Sequence, residues 1–166
     1  MGSPLKVLNL KTPVGALCLI SDETTLIAAA FSDASLLQSR LNPAQIARGF
    51  VAVKSIPGVS ELVRRYFDGD LGAIDKINVE QPGGAFSQKA WQSMRKIKPG
   101  HLLSYSELAA KSGSPAAVRA AGSACARNLI APIIPCHRIV RSDGSLGGYG
   151  FGLAAKTWLL QHEGAL

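Results

Sequence analysis

Residues 133–140 read Ile133-Ile134-Pro135-Cys136-His137-Arg138-Ile139-Val140. A thiol sits beside an imidazole between two apolar pairs, so the flanks anchor the segment and the polar triplet is presented at its centre. The thiolate is the reactive form of cysteine, and an ordinary pKa of about 8.5 leaves only a few per cent of it ionised near neutral pH. A base is therefore needed. His137 has a suitable pKa, but sequence neighbours rarely hydrogen-bond side chain to side chain, which makes a bridging water the expected link. A buried histidine also requires an orienting acceptor. Only four acidic residues lie beyond residue 78. Glu163, beside the C-terminal helix pattern of Leu153, Trp158 and Leu159, is a candidate. A Cys-His pair alone is incidental in most chains, so its surroundings decide.

The elements that must position this segment differ between the two halves. Three short apolar stretches, Leu5 to Leu10, Val14 to Ile20 and Thr25 to Phe31, are separated by turn residues at Thr12-Pro13 and Ser21-Asp22-Glu23 and predict an antiparallel sheet. Around Asn42-Pro43 the chain reads as irregular. Val59, Leu62, Val63, Tyr66 and Phe67 have helical spacing, and Asp68-Gly69-Asp70 stops them. Gln81-Pro82-Gly83-Gly84 predicts a loop, dividing the chain into a sheet-and-helix domain over residues 1–80 and a second domain over 81–166. There Phe86, Ala90, Trp91, Met94 and Ile97 form one apolar helical face that ends at Pro99-Gly100. Ser104-Tyr105-Ser106-Glu107 is a capping box opening a helix that runs to Gly113. Ser114 is expected to cap a following helix, Ala116 to Arg127, with Pro115 in its first turn. Two short helices joined by a glycine turn make a helix-turn-helix. Many such hairpins bind nothing, so this motif too needs company.

Charge supplies some. The 166-residue chain carries a formal net charge of +7, with 47% hydrophobic and 17% charged residues. Residues 1–78 hold eight Lys/Arg against seven Asp/Glu, whereas residues 79–166 hold ten against four, so +6 of the charge lies in the second half. Clustered positive charge gains affinity for nucleic acid by releasing the counterions condensed on phosphates. No apolar run reaches the ~18 residues of a membrane span. Three cysteines, Cys18, Cys125 and Cys136, cannot all pair. No secretory signal is read at the start of the chain, and reduced thiols in a cytoplasmic setting, or a nuclear one in a eukaryote, are expected. Cys125 is expected to be a packed, inert thiol.

Taken together, Pro135-Cys136-His137-Arg138, the preceding Arg127-Asn128, the following Gly147-Gly148-Tyr149-Gly150 and the closing His162-Glu163-Gly164 closely resemble the O6-alkylguanine-DNA alkyltransferases. Ser104-Tyr105 and Arg119-Ala120-Ala121-Gly122 fit the same family. The likeness runs from about Phe86 to Gly164; residues 1–80 match only in their sheet-then-helix order. It implies an α+β fold with the cysteine and a helix-turn-helix in the second domain. It implies direct repair: transfer of a methyl or larger alkyl group from O6-alkylguanine, and O4-alkylthymine besides, in double-stranded DNA to Cys136, once per molecule.

The resemblance also assigns roles. Cys136 is the acceptor, His137 the water-mediated base, Glu163 its partner and Asn128 a brace across the active-site turn, together poising the thiolate. Tyr105 donates a proton to the departing guanine ring and contacts DNA. Arg119 is the finger that fills the stack when the nucleotide swings out into the protein from the minor groove. Ser87, Ser106, Ser114 and Ser142 join Tyr105 and Arg119 as DNA contacts. Pro135, Val140, Tyr149, Gly150 and Phe151 line the substrate pocket. No cofactor, metal or membrane is implied, and a monomer that can assemble along DNA is expected. Two positions depart from the family pattern. Phe151 stands where a glycine or small polar residue is usual and is placed to narrow the pocket mouth, and Leu129 stands where proline is common. Relatives that only recognise the lesion lack the acceptor cysteine, which Cys136 supplies here.

Overall fold

The computed structural model describes residues 2–166. The chain forms two compact units: the first runs to Gln81 and takes in Leu129–Ala131, and the second comprises Pro82–Asn128 and Pro132–Leu166. Gln81 and Leu129–Ala131 thus go with the first unit, whereas the sequence reading put every residue from 81 onward in the second.

In the first unit, strands β1 (Leu5–Thr12), β2 (Gly15–Asp22) and β3 (Thr25–Ala30) pair antiparallel in sequence order. Thr12 closes the first hairpin: its hydroxyl donates to the Gly15 carbonyl at 2.6 Å and accepts the Val14 N–H at 3.1 Å. Leu17–Ile20 and Leu26–Ala30 are buried without alternation, the mark of strands covered on both faces. After helices α1 (Ala34–Ser39) and α2 (Pro43–Ala47), a short strand β4 (Phe50–Ala52) returns parallel to β1, giving the order β3-β2-β1-β4. The sheet is therefore mixed rather than wholly antiparallel. Two intervening helices are the kind of crossover that lets a chain re-enter in the same direction. Helix α2 occupies the stretch that reads as irregular. It opens on a reciprocal cap, Asn42 Oδ1 accepting the Gln45 N–H at 2.8 Å and Gln45 Oε1 accepting the Asn42 N–H at 3.0 Å, with Pro43 at its first turn. Helix α3 (Ser60–Phe67) buries Val63 and Tyr66 and ends at Asp68, before Gly69 at φ +113°. The outer edge of β3 is also engaged: the Ala29 N–H donates to Leu129 O at 2.8 Å and the Ala131 N–H to Ala29 O at 3.0 Å.

The second unit is helical. Helix α4 (Ala85–Arg95) buries Ala90, Trp91 and Met94, as its apolar face predicts. Strand β5 (Leu103–Ser104) leads directly into α5 (Tyr105–Lys111), and the expected capping box is present: Ser104 Oγ accepts the Glu107 N–H at 3.1 Å while Glu107 Oε1 accepts the Ser104 N–H at 2.9 Å. Helix α6 spans Val118–Arg127. It does not start at Ser114-Pro115 as the sequence reading had it. Those residues form a turn in which the Ala117 N–H bonds to Ser114 O at 2.9 Å, and no side chain caps α6. The Ser114 N–H donates to Ala109 O at 3.1 Å, which ties this turn to the end of α5. A two-residue strand β6 (Ile139–Val140) pairs parallel with β5, and α7 (Leu153–His162) closes the chain.

Trp91 joins α4 to α6: its indole N–H donates to the Ala124 carbonyl at 2.9 Å, both groups being buried. Ala124 lies in the last turn of α6, where carbonyls lack helical donors. Replacing Trp91 by Phe keeps most of the ring and removes the donor. The expected cost is about 1–3 kcal/mol, the range for stranding a buried acceptor, read from the urea unfolding midpoint.

Candidate active site

Cys136, His137 and Arg138 form one turn of 3-10 helix behind Pro135, with the Cys136 N–H donating to Ile134 O at 2.9 Å and the Arg138 N–H to Pro135 O at 3.0 Å. Every residue from 131 to 140 is buried. The apolar pairs that flank the triplet thus anchor it in the core, and the triplet itself is buried with them.

A single carboxylate organises the polar atoms. Glu163, at the C-cap of α7, accepts from Arg138 Nε at 2.8 Å through Oε1 and from Arg138 Nη2 at 2.9 Å through Oε2. His137 Nε2 lies 2.9 Å from the same Oε2. The third branch of the Arg138 fork, Nη1, donates to the Ile97 carbonyl just beyond α4. Burial alone would raise the Glu163 pKa, but the hydrogen bonds from His137 and Arg138 outweigh it and hold the carboxylate well below its usual range. An ionised acceptor at Nε2 fixes the proton there. Nδ1 of His137 is then the ring's lone-pair nitrogen, buried and without a hydrogen-bond partner among the described residues. Burial lowers the His137 pKa against the opposing pull of Glu163, so the imidazole is neutral and able to take a proton.

The thiol lies in an opposed environment. Burial pushes the Cys136 pKa up, while the Asn128 amide and then the Lys156 charge pull it down. Desolvation is the largest influence on it, so the resting group is a thiol and its proton must be removed before or during any attack. Asn128 caps the C-terminus of α6 and donates from Nδ2 to Ile134 O at 2.8 Å, bracing the turn that carries Cys136. Tyr105 follows β5, whose partner β6 follows the Cys136–Arg138 turn. Burial raises its phenol pKa, with Cys125 and Cys136 adding to the rise. A side-chain carbon at Gly147 would come within 3.1 Å of the Tyr105 hydroxyl, so that phenol lies over bare backbone.

The remaining sequence-derived positions are distributed as follows. Pro135 and Val140 are buried on either side of the triplet, Tyr149 and Phe151 are half-buried, and Gly150 is exposed. The His137, Tyr149 and Phe151 rings meet edge to face in succession, with centroids 6.5 Å and 5.3 Å apart. Phe151 is thus the outer member of an aromatic row that leads back to His137. Ser106 and Ser142 bring their hydroxyls within 3.3 Å of each other. Ser87 lies half-buried in the first turn of α4, and Ser114 half-buried in the turn before α6. Arg119 is exposed in the first turn of α6, with no ion pair among the described residues. Cys125 is half-buried near Cys136, and burial drives its thiol pKa up. Among the described residues no His, Cys, Asp and Glu cluster suits a metal ion, and no helix is long and apolar enough to cross a membrane.

Two residues escaped the sequence reading. Arg138 was read only as part of a polar triplet, and Lys156 not at all; both are fully buried. Each is a charge set inside an apolar run, and that mismatch is the signal that marks them.

Glu163→Gln leaves the Arg138 guanidinium buried without its counter-charge. The expected loss is about 3–5 kcal/mol, measured by denaturant unfolding at neutral pH. A carboxylate whose folded pKa is depressed contributes stability above its unfolded value, near pH ~4.3, and loses it as pH falls through the lower folded value. The difference in stability between wild type and the variant should accordingly shrink on acidification below that point.

Residues 85–165 match the family model described as the DNA-binding domain of 6-O-methylguanine DNA methyltransferase. The chain is similar to the methylated-DNA–protein-cysteine methyltransferase of Salmonella typhimurium, with 35% identity over 162 residues and 95% of each chain covered. A crystal structure of Mycobacterium tuberculosis O6-methylguanine methyltransferase superposes with a TM-score of 0.77 at 28% identity, covering 97% of this chain and 93% of that one. The M. tuberculosis protein OGT in complex with DNA does so with a TM-score of 0.78 at 27% identity, covering 96% and 93%. With a buried thiol, a neutral histidine and an ionised glutamate set on this fold, the chain belongs to the methylated-DNA–protein-cysteine methyltransferases.

Proposed function

We propose that this protein repairs double-stranded DNA by moving the alkyl group of O6-alkylguanine, and of O4-alkylthymine, onto Cys136. The observation that carries the reading is the neutral His137, held through Nε2 by Glu163 and leaving Nδ1 as an acceptor directly after a buried thiol. The Cys136 sulfur attacks the alkyl carbon while its proton passes through a water to Nδ1. The sulfur–carbon bond forms as the carbon–oxygen bond breaks, and the electron pair stays with the guanine. Tyr105, kept protonated by its raised pKa, supplies a proton to the guanine ring. Glu163 meanwhile offsets the charge of the imidazolium. The thioether product is not hydrolysed, so each molecule acts once.

Delivery of the base follows from the basic second half. Arg119 on α6 enters the minor groove and fills the space left by the flipped nucleotide. Tyr105, Ser87, Ser106, Ser114 and Ser142 contact the DNA around it. Pro135, Val140, Tyr149, Gly150 and Phe151 surround the extruded base. Flipping costs a few kcal/mol, least for a poorly paired alkylguanine, which favours the lesion before any chemistry. The protein works as a monomer able to assemble along DNA, and its unpaired thiols suit the cytoplasm, or the nucleus in a eukaryote.

Incubation with a duplex carrying O6-methylguanine should add one methyl to the intact mass and place it on the Cys136 peptide. Cys136→Ser should show no transfer while binding DNA as before; methyl appearing on Cys125 would refute the assignment. Arg119→Ala should slow duplex repair by roughly tenfold, each ~1.4 kcal/mol of lost flipping support being a factor of ten. Its reaction with free O6-benzylguanine should barely change, since nothing is flipped. An equal loss on both substrates would reject the finger.

A further inference from the structure

Lys156 is a charged side chain with no exposed surface, and none of the steps above uses it. It projects from the first turns of α7, and its ammonium converges on three backbone carbonyls: Ile139 O at 2.7 Å, Leu146 O at 2.5 Å and Gly148 O at 3.2 Å. Only the protonated amine has three N–H groups to give, so the geometry matches a buried cation with every donor satisfied. Its acceptors are not an arbitrary set. Ile139 belongs to β6, directly behind the Cys136 turn, while Leu146 and Gly148 flank Gly147 in the segment that leads to Tyr149.

The segment before Leu146 is folded on itself, with the Arg141 N–H bonded to Ser145 O at 2.9 Å and Asp143 Oδ1 accepting the Ser145 N–H at 2.9 Å and hydroxyl at 2.7 Å. Beyond that turn the polypeptide must cross Tyr105 with Gly147 at φ +72° and then bring Tyr149 edge-on to His137. Residues 141–145 are all exposed and Gly148 with them, so little apolar burial holds this stretch. The bonds from Lys156 to two of its carbonyls join the ring contacts of Tyr149 in holding it.

We propose that Lys156 is a positioning residue for alkyl transfer: by tying the Leu146 and Gly148 carbonyls to Ile139, it holds residues 146–149 against Tyr105 and His137 as the wall of the base pocket. The proposal rests on Cys136 being the acceptor. Burial pulls the Lys156 pKa down, and its electrostatic coupling to Cys136 and Cys125 places the ammonium in the same neighbourhood as the thiol. A direct influence of that charge on the sulfur is the competing account, and the test separates the two.

Lys156→Met keeps an unbranched side chain one atom shorter and removes all three donors; Lys156→Gln keeps two. Four quantities are measured on each: the saturating single-turnover rate on an O6-methylguanine duplex, the rate with free O6-benzylguanine, alkylation of Cys136 by iodoacetamide, and affinity for unmodified duplex. Iodoacetamide needs a thiol but no base pocket. The expected result for Lys156→Met is a loss of about ten- to a hundredfold on both base substrates, the scale of a misplaced binding wall. Iodoacetamide alkylation and duplex affinity should be little changed, and Lys156→Gln should recover part of the loss. Unaltered transfer rates would overturn the proposal. So would a fall in iodoacetamide reactivity matching the fall in transfer, which would assign Lys156 to the thiol's ionisation. If both variants lost duplex affinity and their far-ultraviolet dichroism together, the residue would belong to the fold at large and the proposal would fail. Transfer in wild type to a residue other than Cys136 would be seen by peptide mass before any variant is compared, and would fault the acceptor assignment instead.

Discussion

One carboxylate, Glu163, stands at the centre of the second unit because two buried nitrogen bases need it at once. A guanidinium cannot shed its proton, so Arg138 can occupy the interior only beside a full negative charge and with its other N–H groups engaged. Both oxygens of Glu163 and the Ile97 carbonyl meet that requirement. The same arrangement draws together the end of α7, the nucleophile turn and the segment after α4. His137 then inherits its orientation from a group already fixed for another reason. The structural ion pair and the polarity of the imidazole are one interaction, which explains why the ring is locked even though its buried Nδ1 has no hydrogen-bond partner among the described residues.

Electrostatically, the site divides into groups kept neutral and groups kept charged. Desolvation favours the neutral forms of Cys136, His137 and Tyr105, while Arg138, Glu163 and Lys156 remain ionised because specific partners saturate them. The three neutral groups are thus buried or half-buried beside charges that are already oriented by their partners. On the proposed mechanism, such an arrangement would stabilise charge as it develops during transfer without reorganising the surroundings.

Much of this was legible in the residues. The Ser104–Glu107 box, the apolar face of α4 and the first three strands are written in local patterns, and each was found where its pattern placed it. The Cys-His pair and Glu163 were legible as chemistry, though their 2.9 Å meeting was not, since 26 residues separate His137 from Glu163. Other features were hidden for physical reasons. Ser114-Pro115 carries a helix-start signal, but the chain spends those residues on a turn closed by the Ala117 N–H on Ser114 O, and α6 begins only at Val118. Helix α2 spans only five residues, too short for an apolar periodicity to show, so the stretch around Asn42-Pro43 reads as irregular. Strand β4 is three residues long and its pairing depends on where two helices return the chain. For Arg138 and Lys156 the sequence displays charges, and only tertiary contacts reveal that they are interior.

The return of Leu129–Ala131 to the outer edge of β3 has a consequence for how the molecule is made. The first 81 residues contain all of β1, β2 and β3, together with Val79, which bridges to Leu26 in the folded unit. The Ala29 N–H and carbonyl at that edge find their partners only when residue 131 of 166 has been synthesised. At roughly 5–20 residues per second, this leaves the edge open for seconds during translation. An unpaired strand edge is a site for association with other chains. The nascent first unit is accordingly most exposed to misassembly in the interval when α4, α5 and α6 are being added, and it is sealed by the short stretch that links α6 to the nucleophile turn.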